Sequence, residues 1–140
     1  MDARNPCQPT ITSVNREIES PEGGAVRDGV LYLADFNNGL VLLDVSDPGN
    51  PSVLTSVPTG TAKGIVLDQH RLWLANYFWG IKVFSLEQPL NPALVASLDT
   101  PGKAYEIAVD GNRALIADWH SLISGQLVLP ERDVNPVLHP

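Results

Sequence analysis

A chain of 140 residues, 44% of them hydrophobic, is long enough for one domain with its own core. Its formal net charge of −7, with nine Lys and Arg scattered and no basic stripe, excludes the electrostatic footprint of a nucleic-acid binder. The one cysteine, Cys7, excludes an intrachain disulfide and a cysteine-based zinc site, and no apolar run reaches the ~18 residues of a membrane-spanning helix.

The first ten residues, MDARNPCQPT, lack the charged stretch and apolar stretch of a signal peptide. The expectation is a chain that stays inside, or a piece of a longer one whose leader lies elsewhere. Cys7 reads as an incidental free thiol. The next stretch, residues 11–19, reads as a strand: the outer strand of a preceding or closing unit, followed by Pro21-Glu22-Gly23 where Pro101-Gly102 stands later.

From there the chain repeats itself, and internal repeats decide the fold before anything else does. Ala34-Asp35, Ala75-Asn76 and Ala117-Asp118 recur at spacings of 41 and 42 residues. Gly39, Gly80 and Gly125 recur at 41 and 45, and Asn50-Pro51, Asn91-Pro92 and Asn135-Pro136 at 41 and 44. The excess in the third copy falls between Asp118 and Gly125, which predicts a short loop insertion there. The units span approximately 24–57, 64–98 and 104–140.

Each unit reads as four short strands. In the middle copy they are Gly64–Asp68, Arg71–Ala75, Ile81–Leu86 and Ala93–Leu98, each rich in Val, Leu and Ile and bounded by Gly, Pro, Asn or Asp. The inner runs are almost continuously apolar, as strands buried on both faces are. Helix fails on breakers, since a Gly or Pro interrupts nearly every stretch of ten residues. The twelve prolines and eleven glycines thus act as punctuation. Pro51 and Pro92 are placed at the opening of the fourth strand, where a missing N–H costs no ladder bond. Asp44, Asp47, Pro48 and Asn50 before Pro51, and Asn91 before Pro92, read as turn residues whose Asx side chains accept backbone N–H groups. Asn135 and Pro136 read the same way in the third copy.

Four strands in about 40–45 residues is the period of a propeller blade. The expected fold is therefore all-β and β-propeller-type: three four-stranded blades of about 41–45 residues plus an extra N-terminal strand. Closed propellers have about 4–8 blades. Three leave apolar faces open at the ends, so the expected partners are the remaining blades of a longer chain or a second copy of this one.

The stretch LVLLDVSDPGNP, Leu40 to Pro51, resembles the LVIVD-repeat family, whose hallmark is an apolar third strand running into an Asp-Val-Ser-Asp-Pro-x-x-Pro turn. The second copy, IKVFSLEQPLNP, keeps the frame and loses the acids. The third, QLVLPERDVNP, keeps the apolar strand and the Asn-Pro. Tyr32 to Asp35 and Leu115 to Asp118 fit the family's second strand, and the resemblance runs from Val26 to Pro136. It implies a propeller of four-stranded repeats in bacterial or archaeal cell-surface or secreted proteins, and it implies no reaction.

The loops after the second strands carry Phe36, then Tyr77, Phe78 and Trp79, then Trp119 and His120. Aromatics recurring on one face can stack on a sugar or grip a peptide. They can equally roof the central channel and pack on neighbouring blades. Asp35, Asn76 and Asp118 occupy one position in all three units: a ring of oxygens for a cation such as calcium, or caps for the following turn. Asp118, His120 and Ser121 have the residue types of a triad, but neighbours in one loop rarely orient one another for that chemistry. Trp73, equivalent to Tyr32 and Leu115, reads as core. Lys63 and Lys103 read as one position in the links between units. No cofactor is expected. The leading reading is a non-enzymatic surface or secreted module that binds a protein or ligand. The alternatives are a hydrolase or lyase with its site at the channel mouth, and a carbohydrate-binding propeller using Trp79 and Trp119.

Overall fold

A computed structural model describes residues 8–128. These residues contain no helix. They form eleven strands in chain order: β1 (Pro21–Arg27), β2 (Val30–Asp35), β3 (Gly39–Asp44), β4 (Ser52–Val57), β5 (Gly64–Leu67), β6 (Arg71–Ala75), β7 (Ile81–Ser85), β8 (Ala93–Leu98), β9 (Ala104–Asp110), β10 (Arg113–Asp118) and β11 (Ser121–Gln126). Short apolar runs broken by turn chemistry leave hairpins as the only local solution, and all pairings are antiparallel. The hairpins give two four-stranded meanders, β1-β2-β3-β4 and β5-β6-β7-β8, and a three-stranded one, β9-β10-β11. The expected fourth strand of the third unit, with Asn135 and Pro136, lies outside the described residues.

The sheets pack in series through their first strands. β1 lies against β5, and β5 against β9; β2 also reaches β5, and β6 reaches β9. Glycine permits this approach. A Cβ on Gly64 would stand 2.7 Å from the Tyr105 carbonyl oxygen, closer than real Cβ atoms come. The arrangement is that of a partial, propeller-like fold, and the described sheets do not close into a ring.

Two apolar layers hold the series together. Tyr32, Ala34, Leu40 and Leu42 of the first sheet meet Leu72, Leu74, Phe84 and Leu86 of the second. Trp73, Ala75, Ile81 and Val83, on the second sheet's other face, meet Ile107, Ala114 and Ile116 of the third. The alternation of side chains across a strand explains why β6 feeds both layers. Trp73 is buried, and its indole N–H donates to Asp68 Oδ2 at 2.8 Å. Its counterpart Leu115 faces away from the stack, 49% exposed, because no sheet follows among the described residues.

Two sequence expectations change. Residues 11–20 form no strand. Instead the Ser20 carbonyl accepts the Phe36 N–H, and Ser13 Oγ donates to the Pro48 carbonyl, so this segment is fastened near both ends of the first sheet. Val41 and Leu43, on that sheet's outward face, are only 4% and 2% exposed with no sheet beyond them among the described residues. We read residues 13–20 as their cover. A strand would need a ladder partner, and residues 11–19 pair with no strand among the described residues.

The third unit has no insertion between Asp118 and Gly125. A two-residue turn, Trp119-His120, leads straight into β11, and Asp118 pairs with Ser121. In register, Leu122 takes the place of Leu40 and Ile81, and Gly125 lies inside the strand. One repeated hydrogen bond fixes the frame: Val45, Leu86 and Leu127 donate their N–H to the carbonyls of Gly29, His70 and Asn112. The donors stand 41 residues apart each time. The local resemblance of GQLVL to GLVLL is overruled by the closed β10–β11 ladder.

Candidate functional site

The loops that leave β2, β6 and β10 lie at one end of the stack, and their rings meet there. Phe36 and Tyr77 stand edge to face with centroids 5.3 Å apart, as do Tyr77 and Tyr105 at 5.3 Å. Tyr77 also meets Phe78 at 4.5 Å, and Tyr105 meets Trp119 at 6.1 Å. His120 tilts against Trp119 at 5.7 Å. Rings from all three sheets therefore form one contiguous row, in the offset and T-shaped geometries that ring quadrupoles favour. Phe78, Tyr105 and Trp119 present much of their surface to solvent.

Two ammonium groups are set into this row. Lys63 Nζ lies 5.6, 5.5 and 5.3 Å from the ring centres of Phe36, Tyr77 and Tyr105. Lys103 Nζ lies 5.4, 5.2 and 3.8 Å from those of Tyr77, Phe78 and Trp119. All six are within cation–π reach. Lys63 is also paired with Glu22 at 3.3 Å, whereas Lys103 has no ion pair among the described residues. The two lysines do not share one position. Gly64 and Glu106 pair with Ala75 and Ala117, which sets Lys63 level with Tyr105 and puts Lys103 two residues earlier. They converge on the same rings from different registers.

Tyr77 is the hub, and its backbone shows how firmly it is held. Its φ is +46°, a left-handed conformation that costs a non-glycine residue of order 1–2 kcal/mol. Two hydrogen bonds to Ala104 hold it, N–H to carbonyl at 3.2 Å and the reverse at 3.0 Å, tying the second sheet's loop to the start of β9. A hydrogen bond with Tyr77, and then burial, push the Tyr105 hydroxyl above its usual value.

Beneath the rings stand the three Asx side chains, each holding the link that enters its own sheet. Asp35 accepts N–H groups from Ser20, Asn37 and Asn38 at 2.9–3.0 Å and the Asn38 side-chain amide at 3.2 Å. Burial alone would raise its pKa. The N–H donors of Ser20, Asn38 and Asn37 outweigh burial and hold the carboxyl below its usual range. Asn76 accepts from Thr59 Oγ1 at 3.1 Å and donates its amide to the Thr59 carbonyl. Asp118 Oδ2 accepts the Gly102 N–H at 2.8 Å, while its Oδ1 is buried with no partner. These oxygens are engaged separately, sheet by sheet. No group of three His, Cys, Asp or Glu among the described residues is placed to hold a metal.

Trp79 stands apart from the row. Its indole lies against Gly60 in the link before β5, close enough to leave no room for a Cβ there. His120 has no hydrogen bond to Asp118 or Ser121 among the described residues, so the three form no relay. Tyr105, which completes the row, was not singled out by sequence because it belongs to an inner strand and not to a loop. It occupies the extra position of a bulge, where the pairing jumps from Ala117↔Glu106 to Asp118↔Ala104.

At the opposite end, the β3–β4 turn is fastened by its own side chains. Asp44 Oδ1 accepts from Ser46 N and Oγ at 2.9 and 2.6 Å, and Asp47 Oδ1 accepts from Gly49 N at 3.0 Å. Asn50 N–H bonds the Asp47 carbonyl as Asn91 N–H bonds that of Gln88. Pro51 and Pro92 stand one residue ahead of β4 and β8, outside the ladders.

A family model described as the LVIVD repeat matches residues 25–59 and 101–123. These two stretches are similar to the LVIVD repeat. The first matched stretch runs from within β1 past β4, and the second from the link before β9 into β11. The second unit lies outside the matched LVIVD stretches, yet it folds as the first does, with Ser85 and Gln88 in place of Asp44 and Asp47. Its Ser85 Oγ still accepts the Glu87 N–H, at 3.3 Å, so the side-chain bond of the first unit's turn is kept here without a carboxylate. A comparison with curated proteins returned no match. No helix of the described residues is long and apolar enough to cross a membrane.

Proposed function

We propose that this chain is a non-enzymatic interaction module. Its sheets are blades of an LVIVD-repeat propeller, and its working surface is the row of rings and lysines. The observation that carries this reading is convergence. Phe36, Tyr77, Tyr105 and Trp119 come from three separate sheets, share one exposed face and surround two cations. Exposed aromatic side chains with few rotatable bonds and nearby charge are the usual material of binding hot spots. By resemblance, the module belongs at a cell surface or in secreted protein. Further blades, or a second copy, cover the outward face of the third sheet.

The test is a panel of immobilised glycans and peptides probed with the parent protein and with a Phe78→Ala/Trp119→Ala double variant. Both side chains are exposed and can be removed without opening the core. The reading expects at least one ligand that the parent retains and the variant loses. Equal retention by both proteins, or no retained ligand in the panel, would count against it. A hydrolase screen of the parent beside His120→Ala is expected to show no activity that depends on this histidine.

A further inference from the structure

We infer that the ligand of this face is an acidic glycan, a polysaccharide whose sugar rings carry carboxylates. The inference rests on the interaction-face reading and narrows its ligand to one chemical class. Lys103 carries it. Its Nζ lies 3.8 Å from the Trp119 ring centre, its side chain is half-buried, and it has no carboxylate partner among the described residues. A cation held among rings still has N–H donors to satisfy, and an incoming carboxylate satisfies them with a charge-assisted bond. Lys63, already paired with Glu22, supplies a second and weaker point of attraction.

The rings select what carries the carboxylate. Trp119 and Phe78 offer planar apolar surface beside the Lys103 ammonium, and Phe36 and Tyr77 do so beside Lys63. A pyranose ring bearing a carboxylate matches that pairing in each of its units: a C–H face for the aromatic, an anion for the lysine. Tyr77 lies within 5.5 Å of both ammonium groups, so one extended ligand can meet both. Two clefts among the described residues lie away from the rings: one is lined by Trp73, Ile81 and Ile116, the other by Asp68, His70 and Glu87. Phe78, Tyr105 and Trp119 are exposed, and an exposed row suits a chain laid across it better than a small molecule enclosed in it. An acidic peptide would satisfy the lysines too. Yet an extended peptide that binds by strand addition needs a sheet edge, and these loops present side chains instead. The chain's net charge of −7 opposes any polyanion at long range, so binding must come from this local arrangement.

Isothermal titration with polygalacturonate, neutral galactan and poly-glutamate tests the inference on the whole chain. Polygalacturonate is expected to bind, and galactan to bind about tenfold more weakly or worse, the worth of one charge-assisted bond. Lys103→Ala and Trp119→Ala should each weaken polygalacturonate binding about fivefold, with the circular dichroism of the parent and more sensitivity to salt lost in the lysine variant. Equal affinity for acidic and neutral glycans, or a Lys103→Ala variant that binds as the parent does, overturns the role given to the cation. Poly-glutamate bound as tightly as polygalacturonate overturns the glycan and leaves the binding face standing. No heat with any polymer overturns the inference, while the ligand panel above still decides the interaction face separately.

Discussion

Asp35 shows how much of this fold rests on single polar side chains. Its carboxylate gathers the N–H groups of Ser20, Asn37 and Asn38 in a site closed to solvent, and those donors hold its pKa below the usual value of 3.8. A carboxyl whose pKa falls on folding stabilises the fold fully above its unfolded pKa, and loses that contribution as pH falls through the folded one. Asp35→Asn should therefore cost about 1–3 kcal/mol in urea unfolding at pH 7. The gap from the parent should narrow as the pH is lowered below 3.8. A gap independent of pH would mean that the ionised carboxylate is not what holds the link. The sequence shows the recurrence of Asp35, Asn76 and Asp118 but leaves a metal ring and turn caps both open. The difference lies in distances to backbone N–H groups, which spacing along the chain does not contain.

At the scale of the strand, period was legible and register was not. Ala34, Ala75 and Ala117 stand at matching points of β2, β6 and β10, as the repeat spacing predicts. Gly125 misled because a glycine before an apolar run looks like the start of a third strand, while β11 had already begun at Ser121. Residues 11–19 misled because they stand ahead of Pro21-Glu22-Gly23 as a fourth strand stands ahead of Pro101-Gly102. What decides between strand and cover is the presence of a partner, and that is set by the whole stack. Register also sets energetics. Leu40 and Leu122 occupy matching positions, yet Leu40 is fully buried and Leu122 is 74% exposed. Leu40→Ala should cost about 2–5 kcal/mol and Leu122→Ala less than about 0.5 kcal/mol in chemical denaturation. Comparable losses at both would show that a further layer covers the third sheet.

For the whole molecule, the consequence is an apolar face without a neighbour among the described residues. Leu115 and Leu122 look outward from the third sheet where Tyr32 and Trp73, the counterparts of Leu115, are buried against a following sheet. The first sheet differs: Val41 and Leu43 on its outward side are buried, and residues 13–20, hydrogen-bonded to Phe36 and Pro48, are what we read as their cover. Light scattering of this 140-residue chain should show association that grows with concentration, reduced in a Leu115→Lys/Leu122→Lys variant. A parent that stays monomeric across the range would contradict the idea that this face seeks a partner. The sequence made the open face foreseeable, since three units of this period cannot close a ring. It could not show that Val41 and Leu43 are buried at one end while, among the described residues, Leu115 and Leu122 are exposed at the other.

Three separately hydrogen-bonded sheets bring their loops to a common face, and the aromatic rings report on it directly. The chain has only three tyrosines and three phenylalanines, so their ring protons can be assigned without ambiguity. A nuclear Overhauser spectrum should show cross-peaks from Tyr77 to Phe36 and from Tyr77 to Tyr105, whose ring centres lie 5.3 Å away in each case. Cross-peaks confined to Tyr77 and Phe78, neighbours in one loop, would mean that the sheets do not stack as described and that the shared face does not exist.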